Sequence, residues 1–162
     1  MNRIAPCLWF NDQAEEAAKF YTSVFKQGKI LEITHYPNAG QEIHGKSAGS
    51  VMTVVFELDG TRITALNGGP QFKFTEAISL MIDCKTQDEI DYYWEKLIAG
   101  GGKHGPCGWL TDRFGLSWQI SSAEFDSLIG KADPARSARV FGAMMKMSKI
   151  DLGALKRAYD GE

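Results

Sequence analysis

The chain has 162 residues, enough for one domain or two small modules sharing a core. Its 44% apolar and 23% charged content is that of an ordinary folded protein, and a net charge of −2 supplies no overall field for nucleic acid or an anionic membrane. The apolar runs are too short to span a bilayer, the N-terminus lacks a basic-then-apolar leader, and three scattered cysteines argue against a disulfide framework, which together lead us to expect a cytoplasmic protein.

Ile4–Phe10 alternates as a strand, with Ile4, Leu8 and Phe10 on one face and Ala5, Cys7 and Trp9 on the other. Asn11-Asp12 offers a helix N-cap, and Glu15 stands three residues after Asp12 as in a capping box. Ala14, Ala17, Ala18, Tyr21, Val24 and Phe25 recur at helical spacing up to the stop at Gly28. Lys29–Tyr36 reads as a strand, and Pro37–Gly49, rich in Gly and polar residues, as a mobile loop. Ser50–Leu58 and Thr61–Leu66 are strands joined by Asp59-Gly60, a tight-hairpin signal.

Asn67-Gly68-Gly69-Pro70 interrupts this β-α-β-β-β order, which then starts again. Ala77–Cys84 alternates, with Ile78, Leu80 and Ile82 against Ala77, Ser79 and Met81. Thr86 with Glu89 makes a second capping box, and Ile90, Tyr93, Trp94, Leu97 and Ile98 repeat the helical stripe before Gly100-Gly101-Gly102. A short strand near Lys103–His104 precedes a hairpin with arms Gly108–Thr111 and Leu116–Ile120 around the turn Asp112-Arg113-Phe114-Gly115. Trp118 and Ile120 should face one way, Ser117 and Gln119 the other.

The remainder is helical. Ser121 with Glu124 starts a short helix reaching about Gly130; Asp133-Pro134 is an N-cap followed by Pro at the first helical position; and Asp151 caps a last helix through Tyr159. Val140, Met144 and Met147 form a thin apolar seam. Arg136, Arg139, Lys146, Lys149, Lys156 and Arg157 are read as a face packed on a partner subunit rather than a nucleic-acid surface, because no base-reading motif accompanies them. The expected class is α+β: one domain spanning 1–162, with modules at about 3–67 and 75–121 and a helical tail at 122–162. One helix covers one face of each sheet, so the other face must curl or pair, and two such half-barrels make a cup.

Several stretches resemble the PhnB-like branch of the glyoxalase, bleomycin-resistance and dioxygenase superfamily, the vicinal oxygen chelate fold. They are Cys7-Leu8-Trp9-Phe10 with Ala14-Glu15-Glu16-Ala17 and Phe20-Tyr21, then Leu66–Pro70, Ile78–Cys84 with Gln87–Asp91, Cys107–Ile120, and Val140–Gly161 in the tail. Proteins of this branch are often labelled 3-demethylubiquinone-9 3-methyltransferase domain proteins. The resemblance implies paired modules and a homodimer. In the superfamily's metal enzymes His or Glu ligands come from the first and last strand of each module. Those positions fall near Ala5 (or Pro6) and Thr64, and near Ala77 and Gln119. None is His, Asp, Glu or Cys, so no metal is expected. The alternative is a metal-dependent isomerase, lyase or dioxygenase whose ligands lie elsewhere.

For methyl transfer, a nucleotide-type cofactor site would need a Gly-rich turn between a strand and a helix. Gly68-Gly69 is followed by Pro70, and Gly100–Gly102 follows a helix, so the methyltransferase label lacks support and no cofactor is expected. His35, His44 and His104 suit acid–base chemistry but also loop or edge positions. Cys7 could be a nucleophile only with a base partner, and Cys84 reads as core, while the role of Cys107 at the hairpin mouth is open. Trp9, Met81, Trp109, Phe72 and Phe74 could line an apolar pocket or simply fill the core. In the pocket reading, Trp9, Thr64, Asn67, Ser79, Met81, Trp109 and Gln119 hold a small-molecule ligand, with Asn67, Ser79 and Gln119 as its hydrogen-bonding groups.

Overall fold

The computed structural model describes residues 4–130 and 133–162. The expected module edge at residue 3, and positions 131–132 of the tail, lie outside them. The chain divides into two compact units, Met1–Phe74 and Thr75–Glu162.

The first unit runs β1 (Cys7–Phe10), α1 (Ala14–Val24), β2 (Lys29–His35), α2 (Gln41–His44), β3 (Val51–Leu58) and β4 (Thr61–Asn67). Its sheet has the order β1-β4-β3-β2, with β1 parallel to β4 and the other pairs antiparallel. Leu8, Phe10, Val54, Phe56, Ile63 and Ala65 are buried together with the α1 residues Ala14, Ala17, Ala18 and Tyr21. The three alanines let the helix lie close, and Tyr21 stacks on Phe56 with ring centroids 6.0 Å apart. The stretch Pro37–Gly49 contains the single turn α2 and is closed at its base by Tyr36 N–H to Ser50 O and Gly49 N–H to Tyr36 O, both at 2.9 Å.

The start of α1 departs from the expected capping box. No side chain caps it from the N-cap position, which is Gln13. Instead Ala14 N–H donates to Asn67 Oδ1 at 2.8 Å. Asn67 pairs with Phe10 across β4 and β1, so it shares the helix side of the sheet and reaches the orphan donors of the first turn. A cap delivered from 53 residues away leaves no local signature.

The second unit repeats the order with β5 (Ser79–Asp83), α3 (Gln87–Leu97), β6 (Lys103–His104), β7 (Trp109–Thr111) and β8 (Ser117–Ser121). Its sheet order is β5-β8-β7-β6, again with the first strand parallel to the last. The capping box at Thr86 forms: Glu89 N–H donates to Thr86 Oγ1 at 3.2 Å. The Glu89 carboxylate reaches one residue further back than expected, accepting from Lys85 N–H at 2.8 Å. Ile90, Tyr93, Trp94 and Leu97 are buried, as the stripe requires.

Three helices follow, α4 (Ala123–Gly130), α5 (Pro134–Met144) and α6 (Leu152–Asp160). Asp83 and Ser122 start α4 rather than Ser121, accepting from Ala123 N–H at 2.6 Å and Glu124 N–H at 3.1 Å. Asp133 and Asp151 cap α5 and α6 as expected. Three of the basic tail residues are engaged within their own chain. Arg139 donates to the carbonyls of Ala158 and Tyr159 at the end of α6, Arg136 lies over the Tyr159 ring, and Lys149 pairs with Asp91 at 2.6 Å. The segment before α6 straps the hairpin mouth to α3. Cys107 N–H and Gly108 N–H donate to Met147 O and Ser148 O at 2.8 and 2.7 Å, and the Gln87 amide bonds both Ile150 O and Leu152 N–H.

Cys84 follows β5 at 1% exposure. Burial first, then the nearby carboxylates of Glu89 and Asp83, push its thiol from 9.0 up to about 12. Unfolded, it ionises near 9, so between about pH 9 and 12 the unfolded state sheds a proton that the folded state keeps. This contribution to stability is complete below pH 9 and is lost as pH rises toward 12. Urea midpoints taken from pH 8 to 11 should fall on the alkaline side, with a shallower fall in Cys84→Ala.

Candidate functional site on the open sheet face of the second unit

Each sheet has one face under its helix and one face away from it. In the second unit Trp118, Ile120 and Leu110 are buried at 1–2% exposure on the helix side. Alternation places Ser79, Met81, Ser117, Gln119, Trp109 and Thr111 on the opposite side. The ladder sets them in two rows. Met81, Gln119 and Trp109 are in register across β5, β8 and β7; Ser79, Ser117, Thr111 and Lys103 are in register across β5, β8, β7 and β6.

The buried carboxylate of Asp112 holds this register. Its Oδ1 accepts from Phe114 N–H at 2.8 Å and Leu116 N–H at 3.1 Å, forming the turn, and its Oδ2 accepts from Trp118 Nε1–H at 2.8 Å. The turn is thus bolted to the side chain that anchors β8 in the core. Gln119 is consequently aimed at the open face, where its Nε2 donates to Ser79 Oγ at 2.8 Å. Ser117 is buried at 1% exposure, and its hydroxyl has no hydrogen-bond partner among the described residues.

A cavity of about 480 Å³ adjoins these rows, lined by Glu76, Lys103, His104, Pro106, Trp109 and Thr111 among others. Among the sequence candidates, the structure brings Ser79, Met81, Trp109 and Gln119 onto one face, and Trp109 lines the cavity. Lys103, Thr111 and Glu76 were not singled out. The signal for Lys103 and Thr111 is the β6–β7 register, which depends on the geometry of the loop at Gly105–Gly108. Cys107 has φ 55 there, a left-handed value that the strapping bonds to Met147 and Ser148 support. Its thiol lies 3.7 Å from Met144 O and 3.8 Å from Met145 Sδ.

In the first unit Thr64 lies on the open face between Cys7 and Val55, and Trp9 is on the same face, in register with Leu66. Trp9 is also the anchor of the loop after β4. Its Nε1–H donates to Gly69 O at 2.8 Å and its ring meets Phe72 edge-on at 4.9 Å. A Cβ at Gly68 would sit 2.2 Å from the indole, so only glycine fits there. Phe74 packs edge-on against Phe10. Asn67 is on the other side of this sheet. It is 6% exposed, its Oδ1 caps α1, and its amide donates to Val51 O at 3.0 Å. Its place among ligand-binding groups is therefore corrected to that of an internal brace. Ala5 and Glu57 line a separate cavity of about 520 Å³ in this unit, with Leu31 and Arg62.

The four positions that correspond to metal ligands do not fit a divalent cation. Ala5 and Ala77 carry no donor atom beyond the backbone, and Thr64 offers a neutral hydroxyl. Gln119 offers a single neutral amide oxygen, its Nε2 being engaged with Ser79 Oγ. Among the described residues no three His, Cys, Asp or Glu side chains gather into a metal-binding set. The histidines have other surroundings. The His44 ring nitrogens meet Ala39 O and Lys46 N–H, His104 stacks on Trp94 at 4.7 Å, and His35 lies exposed at the end of β2. No helix among the described residues is long and apolar enough to cross a membrane.

Two β-α-β-β-β units, each with a mixed four-stranded sheet whose first and last strands run side by side, define a glyoxalase-like fold. Residues 2–121 match the family described as 3-demethylubiquinone-9 3-methyltransferase, and the chain belongs to that family. The PhnB protein of Bacillus cereus is 34% identical, with a TM-score of 0.64 over 75% of this chain and 100% of its own. Protein PA1353 of Pseudomonas aeruginosa is 18% identical with a TM-score of 0.61, over 75% of this chain and 98% of its own. The fosfomycin resistance protein FosX of Listeria monocytogenes is 14% identical with a TM-score of 0.53, over 76% and 93%. These last two share the fold. Among curated proteins none matches.

Proposed function

We propose that this chain binds a small organic molecule on the open sheet face of its second unit, without a metal. The observation that carries the reading is the cavity beside Trp109 and Thr111, which joins an apolar wall to a few directed polar groups. Ser79, Met81 and Gln119 extend that surface across β5 and β8. Trp9 and Thr64 take the corresponding positions on the first sheet. The neutral donors at the metal-equivalent positions support binding without a cation. The topology of both sheets differs from the doubly wound parallel sheet that serves nucleotide-type cofactors, so methyl transfer is not part of the reading. The resemblance adds a homodimer to the proposal, and the three scattered cysteines add a cytoplasmic location.

Native mass spectrometry of the freshly purified full chain tests this. The expected spectrum is a dimer carrying a small-molecule adduct that diminishes in Trp109→Ala, with substoichiometric metal by elemental analysis. A divalent ion retained one per chain after dialysis would overturn the metal-free reading and favour a metal-dependent isomerase, lyase or dioxygenase.

A further inference from the structure

We propose that the cavity beside β6 and β7 takes an organic oxyanion, a carboxylate or phosphate group on a flat apolar body. This rests on the reading that this face binds a small molecule, and adds the ligand's chemistry. Lys103 and Thr111 are register partners on the two strands, so their side chains leave the same face. Trp109 stands two residues before Thr111 and shares that face. All three line the cavity.

The lining therefore offers three kinds of hydrogen-bond donor: an ammonium, a hydroxyl and an indole N–H. Among the described residues, none of the three side chains has a hydrogen bond or ion pair. Trp109 and Thr111 are half-buried, and neither donor is committed to a partner among those residues. All three can donate to an acceptor placed in the cavity. Ser117 stands beside this set on β8. It is level with Thr111, and its buried hydroxyl is unpartnered.

Charge decides between a neutral acceptor and an oxyanion. Lys103 brings a positive charge to the acceptor end, and hydrogen bonds to ionised groups are about twice as strong as neutral ones. Glu76 opposes it from the same lining, an exposed carboxylate without an ion pair among the described residues. The Glu76 charge should weaken anion binding and set an upper limit on it. Pro106 and the Trp109 ring supply the apolar wall, and the cavity volume lies within the range of small-molecule sites.

The test is calorimetric titration of the full chain with benzoate, phenyl phosphate and benzamide, the last a neutral isostere of benzoate. Both anions should bind at least about ten-fold tighter than benzamide. Lys103→Met should cost benzoate and phenyl phosphate about ten-fold, leave benzamide unchanged, and be rescued in part by Lys103→Arg. Glu76→Gln should tighten the anions. Lys96→Met, at an exposed lysine on α3, should change nothing. Thermal melts of each variant verify the fold. Benzamide binding as tightly as benzoate, or anion affinity indifferent to Lys103, would overturn the oxyanion assignment while leaving a small-molecule site in place. Failure of all three probes also overturns the assignment, and the co-purified ligand then decides the broader reading alone.

Discussion

Replacing Asp112 with Ala should lower the unfolding free energy by about 3 kcal/mol, the largest effect expected from a side chain outside the apolar core. Three donors converge on this carboxylate, Phe114 N–H, Leu116 N–H and the indole N–H of Trp118, and the residue is 3% exposed. Truncation leaves buried donors unmatched, and each is costly because the site excludes water. In a chain of this size such a loss corresponds to a fall in Tm of roughly 6–12 °C.

The conservative variant separates the roles of the two oxygens. Asp112→Asn can retain Oδ1 as acceptor for both backbone N–H groups of the turn. It places an NH2 where Oδ2 met the Trp118 indole, so donor faces donor. The expected loss is about 1–2 kcal/mol. Trp118→Phe removes the indole donor, and in that background Asp112→Asn should cost less than it does alone. Urea unfolding of the two single variants and the double variant measures the coupling. Additive losses would show that Asp112 serves the turn alone and does not position β8.

Asn67→Ala should cost about 2–3 kcal/mol, measured by the same unfolding series. Two long-range bonds of the side chain disappear: the cap on Ala14 N–H and the donation to Val51 O. The backbone carbonyl of Asn67, which accepts from the Tyr36 hydroxyl at 2.7 Å, is retained. Asn67→Asp keeps an acceptor for the helix but turns an oxygen toward Val51 O. It should therefore destabilise at pH 7 despite the favourable charge at the helix start. A variant with unchanged stability but weakened ligand binding would return Asn67 to the ligand-contacting set.

Cys84 and Gln119 illustrate how far local pattern reaches. Period-two alternation predicted that Trp118 and Ile120 face the helix and that Gln119 faces away, because strand geometry assigns sides without reference to any partner. The helix stripes of α1 and α3 were legible for the same reason, and so was the hairpin turn at Asp112. The burial of Cys84 followed from its being on the helix-facing side. The alternation was equally available at Asn67. Reading that residue as the start of a Gly-rich break, rather than as the last residue of β4, hid the side of the sheet to which it belongs.

The sequence by itself determined the repeated β-α-β-β-β order and, within β1, β5 and β8, the side of the strand that meets its helix. These depend on spacing and residue type. Only the tertiary structure decided that Asn67 caps a helix 53 residues away, that Asp112 secures Trp118, and that Lys103, Thr111 and Trp109 line one cavity. Each of those depends on strand register and loop closure, and hydrogen bonds between residues brought together by folding have no period along the chain to reveal them.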